Sequence, residues 1–229
     1  ALMREVDGAW DQDGMNAIQI ARDDRHDRYV MTYQGYRSDD GTYSVGVGAA
    51  ESRDGVNWTR SEANPVLMQG VEYEGGLFID WPLALYVSEG GGITSYMGAS
   101  TTDDVVDMYA VEVSEDLTGW HIFGDPVLTA GPESYDQAGI TAASVVKLGD
   151  TFYMFYIGAA GWEDIGGGAR APVTQTLSLA TSATGISWTK HRDNPIAVEL
   201  TAAKELDGVA AQVVGDTIHL WLTDNYAGP

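Results

Sequence analysis

The residue pair best suited to chemistry in this sequence is Asp80 followed by Trp81, in the segment FIDWPLALYV. A carboxylate can hydrogen-bond the hydroxyl groups of a sugar, and a neighbouring indole offers a flat apolar surface to the face of a sugar ring. The pair therefore indicates a carbohydrate site. An alternative is equally open, in which Asp80 is a buried residue whose carboxylate is satisfied by backbone amides.

Acidic residues also recur just before the predicted strands, at Asp13, Glu74, Asp136 and Asp207. Carboxylate oxygens are ligands for hard cations, so such acids could hold Ca²⁺ in a central channel. Turn formation is the favoured interpretation, because Asp side chains hydrogen-bond the backbone of tight turns. The sequence therefore requires no cofactor and leaves Ca²⁺ as the alternative.

Charge and composition argue against several classes of function. The chain has 34 acidic and 12 basic residues in 229, a formal charge of -22, and no cysteine. Such a surface repels phosphate backbones and anionic lipid, so we expect neither nucleic acid nor membrane as a partner. Thiolate metal sites and cysteine nucleophiles are excluded, and the four histidines form no H-E-x-x-H pair.

Three copies of a serine-to-tryptophan motif mark an internal repeat. In each copy the two residues are six apart and an Asn-Pro or Asp-Pro pair follows; the copies are SRDGVNW (52–58) before Asn64-Pro65, SEDLTGW (114–120) before Asp125-Pro126, and SATGISW (182–188) before Asn194-Pro195. A repeat of this length indicates an assembly of similar units. We assign the motif no chemistry and expect its polar groups to close a hairpin while the indole packs between units.

Each repeat predicts four antiparallel strands. An inner strand of small and apolar residues comes first, followed by an aromatic-rich strand, a third strand ending at the serine, and a short outer strand after the proline. Units of four antiparallel strands are the blades of a β-propeller. The longest loop is predicted at 161–175, where Trp162, Glu163 and Arg170 could cover a site at one mouth.

About three and a half blades fit into the chain. We expect a single propeller domain with blades at about 10–68, 69–128 and 129–200, and a partial blade at 201–229 to which residues 1–9 add an outer strand. A closed ring leaves no exposed sheet edge. We therefore expect either further residues or a second chain to complete the propeller.

The blade sequence resembles that of a known group of enzymes. The segment YSVGVGAAESRDGVNWTRSEANPVL (43–67), with YVMTYQG before it, resembles the repeat of five-bladed propeller glycosidases of the arabinanase, xylosidase and fructosidase type, glycoside hydrolase families 43 and 32 and their relatives. The third repeat, FYMFYIG through SLATSATGISWTKHRDNPI, is similar. The resemblance covers most of residues 10–200 and implies a five-bladed propeller that acts on an oligosaccharide or polysaccharide without a cofactor.

The resemblance also implies where the chemistry lies. In that family a base or nucleophile, an orienting Asp and a Glu acid stand at inner-strand ends, and Asp80 before Trp81-Pro82 matches the orienting Asp. Aligning the inner strands places Asn16, Thr141 and Ala210 at the positions equivalent to Asp80.

The catalytic candidates are therefore Asp80 with Asp13 and Glu205, although Asp11, Glu74 and Glu133 are alternatives; the substrate-binding candidates are Trp81, Asn16, Thr141 and Trp162. Two functions follow. The first is glycoside hydrolysis, in which one carboxyl protonates the leaving oxygen and another activates water or attacks the anomeric carbon. The second is a non-catalytic propeller that binds carbohydrate or protein, because Asn16 and Thr141 stand where enzymes of this type carry acids.

The excess of acidic side chains predicts a protein adapted to salt, either extracellular or from the cytoplasm of a salt-adapted organism. Repulsion among like charges weakens as salt shortens the Debye length to about 3 Å at 1 M. We expect the melting temperature to rise between dilute and molar KCl, measured by calorimetry. A higher melting temperature in dilute buffer would contradict this prediction.

Overall fold

A computed structural model of the protein describes residues 9–39, 42–73, 76–100, 105–166, 169–196 and 205–225. All regular elements in these ranges are β-strands, and none of the described residues belongs to a helix able to span a membrane. The chain divides into two compact units, the first with Ala1–Ser100 and Tyr109–Asp125 and the second with Thr101–Met108 and Pro126–Pro229.

The first repeat forms an antiparallel blade in which strand order follows chain order. Its strands are β1 (Gly14–Asp23), β2 (Arg28–Asp39), β3 (Thr42–Ser52), β4 (Thr59–Arg60) and β5 (Leu67–Met68). Both short strands, β4 and β5, pair with β3. The second repeat has the same plan, with β6 (Glu72–Tyr73), β7 (Leu77–Val87), β8 (Ile93–Ser100), β9 (Val106–Val113) and β10 (Trp120–Ile122).

The third repeat forms a four-stranded blade and the last described segment forms a hairpin. The blade consists of β11 (Gly139–Leu148), β12 (Thr151–Gly166), β13 (Ala169–Ser182) and β14 (Thr189–Lys190), and the hairpin of β15 (Glu205–Val214) and β16 (Thr217–Asn225). The predicted all-β architecture of four-stranded blades, incomplete in this chain, is therefore confirmed. The outer strand predicted for residues 1–9 lies outside the described residues, apart from Ala9.

Apolar side chains pack between neighbouring blades within each unit. In the first unit Val47 of β3 meets Ile79, Met97 and Val111 of the second blade in one buried cluster. In the second unit Ile157 and Leu177 of the third blade pack with Leu206 of the hairpin. Burial of side chains such as these supplies about 1.5–3 kcal/mol each, which is the main force holding one blade against the next.

The serine-to-tryptophan motifs close hairpins, as predicted. Each serine hydroxyl bonds within its own turn; Ser52, for example, accepts the amide of Gly55 at 2.9 Å, and Ser182 that of Gly185 at 2.9 Å. Each indole N–H then donates to a carbonyl three residues earlier, at Gly55, Leu117 and Gly185. The motif thus stabilises a turn through bonds between residues close in the chain. The indole of Trp120 also packs against both apolar clusters that join the first two blades.

Outer strands lie on both sides of the proline. Short strands begin at or just after each tryptophan, at β4, β10 and β14, and β5 follows Pro65 as predicted. The asparagine of the Asn-Pro pair continues the pairing with its side chain: Asn64 Oδ1 accepts the Ala49 amide and Asn64 Nδ2 donates to the Ala49 carbonyl, both at 2.9 Å. Asn194 pairs in the same way with Leu179.

A buried aspartate is held by the same set of partners in the first and third blades. Asp11 Oδ2 accepts the hydroxyl of Tyr33 at 2.9 Å and Nε of Arg60 at 2.9 Å. Asp136 Oδ2 accepts the hydroxyl of Tyr156 at 3.0 Å and lies 2.6 Å from Nζ of Lys190. Both carboxylate side chains are 0% exposed, so the cation is needed to offset the cost of burying the charge.

The longest predicted loop is instead a hairpin. Residues 161–166 extend β12 and residues 169–175 extend β13, with Trp162 opposite Pro172 and Asp164 opposite Arg170 in the ladder. The sequence was misleading here because glycines at 166–168 and Pro172 are typical of loops.

The buried ion pair yields a prediction about stability. Replacing Lys190 with methionine keeps most of the side-chain volume but leaves the Asp136 carboxylate buried without its cation. We expect Lys190→Met to lower the free energy of unfolding by about 3–5 kcal/mol, measured by urea denaturation. Lys147→Met, at an exposed position of β11 in the same unit, is the control and should change it by less than about 1 kcal/mol. Equal effects of the two substitutions would contradict the assignment.

Candidate functional site

Asp80 occupies a β-bulge in the inner strand β7 of the second blade. Ile79 pairs with Ala99 and Trp81 pairs with Gly98, so Asp80 is the extra residue between two consecutive pairs. A bulge takes its residue out of the ladder and re-aims the side chain, and bulges are common beside functional sites. The half-buried Asp80 therefore does not follow the simple in-and-out alternation of its strand.

Polar but uncharged groups surround Asp80. Its backbone carbonyl accepts Nε2 of Gln34 at 2.8 Å, and its carboxyl hydrogen-bonds with Gln69 and Ser100. The Oδ2 atom is buried and has no hydrogen-bond partner among the described residues. Burial raises the pKa of Asp80 to about 6, although the bonds from Gln69 and Ser100 act to lower it. This carboxyl thus retains a proton into the range where acid catalysis operates.

Asn16 pairs with Gln34, the residue that bonds the Asp80 carbonyl, whereas Asp13 bonds the backbone of Ser38. Asn16 is exposed on β1 and stands directly opposite Gln34 in the β1–β2 ladder, on the same face. Asp13 is also exposed, and its Oδ2 atom accepts the backbone amide of Ser38 at 2.6 Å. The bond ties the start of β1 to the far end of β2, 25 residues away in the chain, so it is not a bond within a tight turn. Trp81 is half-buried and pairs with Gly98.

Thr141 and Trp162 are placed in the second unit. Thr141 is the bulge residue of β11, and its hydroxyl accepts Nε2 of Gln175 at 3.1 Å. The indole of Trp162 donates to the carbonyl of Ala138 at 3.0 Å and so anchors the extended β12–β13 hairpin beside the start of β11. These predicted binding residues therefore lie around one end of the third blade's inner strand.

The fourth inner strand corrects the sequence alignment. The bulge of β15 lies at Asp207, at the same distance from the hairpin turn as Thr141 in β11. Ala210 lies within the regular ladder opposite Trp221, so its alignment with Thr141 was wrong. Glu205 begins β15; the side chains of Glu205 and Asp207, like residue Glu74, lie outside what the structure describes.

No group of three or more His, Asp or Glu side chains able to hold a metal ion occurs among the residues that the structure describes. Two acids of the Ca²⁺ hypothesis have other partners: Asp136 bonds Tyr156 and Lys190, and Asp13 bonds Ser38. Glu133 is exposed and its carbonyl accepts the Asp136 amide.

Sequence reasoning missed the amides and hydroxyls around Asp80. Gln34, Gln69 and Ser100 come from three separate segments, and no motif links them to Asp80. It also missed the repeated role of Asp11. A Tyr-x-Gly triplet follows Asp11 at Tyr33 and Asp136 at Tyr156, but it also occurs at Tyr96 in the second blade, so the triplet alone does not mark the buried aspartate.

Comparison with solved structures identifies the fold. The chain is similar to a thermostable family-43 glycoside hydrolase, with a TM-score of 0.63 at 17% identity over 92% of this chain and 65% of that one. It is also similar to fructan 1-exohydrolase IIa from Cichorium intybus, with a TM-score of 0.60 at 14% identity over 93% of this chain and 40% of that one. A third similar structure is a family 117 glycoside hydrolase from the marine bacterium Zobellia galactanivorans, with a TM-score of 0.58 at 13% identity over 79% of this chain and 56% of that one.

These likenesses establish the fold, which this chain shares with glycoside hydrolases of known structure. The chain spans less than two thirds of the length of each of these structures. No protein-family model matches the sequence, and no curated protein matches it.

The raised pKa of Asp80 predicts a stability change with pH. Because the folded-state pKa is about 6 and the ordinary value is 3.8, the folded state binds this proton more tightly, and its ionisation lowers the free energy of unfolding as pH rises through that window. Asp80→Asn removes the ionisation. Relative to wild type, the variant should gain up to about 3 kcal/mol between pH 4 and pH 7, measured by urea denaturation. Asp125→Asn, at an exposed position of the same unit, should give a difference that does not change with pH. A pH-independent difference for Asp80→Asn would contradict the prediction.

Proposed function

We propose that this protein is a glycoside-hydrolase-like propeller that acts on an oligosaccharide or polysaccharide, with Asp80 as its proton donor rather than as the orienting Asp that the resemblance implies. The single observation that supports this is a half-buried carboxyl whose Oδ2 atom is shielded from solvent and has no partner among the described residues. Burial raises the pKa of this carboxyl to about 6. Glycoside cleavage needs a carboxylic acid that holds its proton until the leaving oxygen accepts it. The uncharged partners of Asp80 suit that role, because a neighbouring cation would favour the ionised form.

The substrate class is inferred from the fold and from the residues beside Asp80. A glycosidase-type propeller carries this site, and Trp81 and the amide of Asn16 provide an aromatic surface and a polar group of the kind that sugars bind. Thr141 and Trp162 remain proposed binding residues in the second unit. A second carboxylate is required for hydrolysis, and Asp13 and Glu205 remain the proposed candidates.

A non-catalytic carbohydrate-binding propeller is the second candidate function. It is favoured by Asn16 and Thr141, which are amide and hydroxyl residues at positions where the resemblance implies acids, and by the bond of Asp13 to Ser38. Such a protein would bind the sugar through the same polar and aromatic groups without cleaving it.

Hydrolysis tests the first candidate directly. We expect release of reducing sugar from arabinan, xylan or fructan, and a fall in kcat of about 10²–10⁴-fold in Asp80→Asn because the proton donor is lost. Activity should also decline as pH rises above about 6, where Asp80 ionises. Asp125→Asn should retain activity within a few-fold. The variants Asp13→Asn and Glu205→Gln test the two candidates for the second carboxylate.

Binding measurements separate the two candidates. Calorimetry with the same polysaccharides and a panel of aryl glycosides would favour the second function if wild type binds and releases no sugar. Absence of both binding and hydrolysis would overturn the proposed function altogether.

A further inference from the structure

We propose that Gln34 is a positioning residue, which fixes the backbone of Asp80 in its bulge and thereby keeps the half-buried carboxyl in its position. The role of Gln34 in catalysis depends on the proposed function of Asp80, whereas its effect on the state of Asp80 does not.

The contact joins two blades of the same unit. Gln34 belongs to β2 in the first blade, and its Nε2 atom donates to the carbonyl of Asp80 in β7 of the second blade at 2.8 Å. The bond is part-buried, and the two residues are 46 positions apart in the chain. A side chain of one blade therefore sets the backbone position of the candidate acid in the next.

The bulge explains why this bond is needed. Asp80 is skipped by the ladder between Ile79–Ala99 and Trp81–Gly98, so β8 offers it no paired residue. A backbone carbonyl that is shielded from water without a partner is destabilising, and the extra residue of a bulge is left unpaired by the ladder. The Gln34 amide satisfies this carbonyl and restrains the bulge residue.

Gln34 is itself held firmly enough to act as an anchor. It lies in the central part of the first blade, paired with Asn16 of β1 on one side and Val47 of β3 on the other. Its neighbour Tyr33 is 0% exposed and fixed by Asp11. Functional groups supported by packed elements of this kind are held more precisely than those supported by loops.

The orientation of the Asp80 carboxyl and its shielding from water both depend on the bond from Gln34. Burial is the largest cause of the raised pKa of Asp80, and that burial requires the bulge to keep Oδ2 away from water. If the bulge loosens, water reaches the carboxyl and its pKa falls toward the ordinary value. Gln34 thus acts on Asp80 at a distance, through its backbone.

The decisive experiment measures the titration of Asp80 by carbon NMR of the carboxyl group, assigned with Asp80→Asn. In Gln34→Met, which keeps the length of the side chain and loses the donor, we expect the pKa of Asp80 to fall by about one unit or more. Gln212→Met, at an exposed position of β15, is the matched control and should leave the pKa of Asp80 unchanged. An unchanged pKa in Gln34→Met would overturn the proposal.

Gln34→Glu is a second variant, and its added charge has an effect on Asp80 that a change of packing would not produce. Both variants lose the donor, but when ionised the introduced carboxylate also places negative charge beside Asp80, so the pKa of Asp80 should be higher in Gln34→Glu than in Gln34→Met. Equal pKa values in the two variants would show that the side chain at position 34 does not face Asp80 and would refute the positioning role.

The NMR result does not depend on catalysis. If wild type cleaves no sugar but the two shifts occur as expected, the proposed function fails while the link between Gln34 and Asp80 stands. If wild type is active, Gln34→Met should lower kcat by about tenfold or more with a smaller change in KM, and should move the upper limb of the pH profile down with the NMR pKa. Activity and pH profile equal to wild type would refute the catalytic part of the role.

Discussion

The constraint on which the first and third blades depend is the burial of a carboxylate beside a cation. Asp11 and Asp136 are fully enclosed, and each requires a tyrosine hydroxyl from the aromatic strand and a basic side chain from the outer strand. The aromatic strand must also carry glycine two residues later: a Cβ atom at Gly35 or Gly158 would lie about 2.5 Å from the Cβ of the aspartate. One buried charge thus dictates residues on three strands.

The second blade lacks this arrangement among its described residues and carries a different carboxyl. Ile122 stands two residues after Trp120, where the other blades have Arg60 and Lys190 after their tryptophans, and it packs in the apolar cluster instead. Asp80 has only uncharged partners, and burial raises its pKa. A carboxylate paired with a cation stabilises a blade, whereas a buried carboxyl without a cation is costly to ionise. The contrast within one chain separates the acids that hold the fold from the acid suited to proton transfer.

Much of the fold could be predicted from the sequence because its signals are local. The six-residue spacing from serine to tryptophan reflects a turn whose hydrogen bonds stay within a few residues, and strand alternation is equally local. The hairpin at 161–175 and the short strands at or just after each tryptophan were not predicted, because glycine and proline suggested loops and because the Asn64 side chain takes over strand pairing. The surroundings of Asp80 were beyond prediction, since Gln34, Gln69 and Ser100 meet it only through tertiary packing.

Bulges explain why the site was harder to align than the blades. Each of the four inner strands has an irregularity near its beginning, between Asn16 and Gln19 and at Asp80, Thr141 and Asp207. An extra residue shifts the register by one, so counting along alternating strands leads to the wrong partner, as it did for Ala210. The bulge is repeated from one inner strand to the next, while the residue at the bulge differs. In the second blade this position holds Asp80, and Gln34 of the first blade donates a hydrogen bond to its backbone carbonyl.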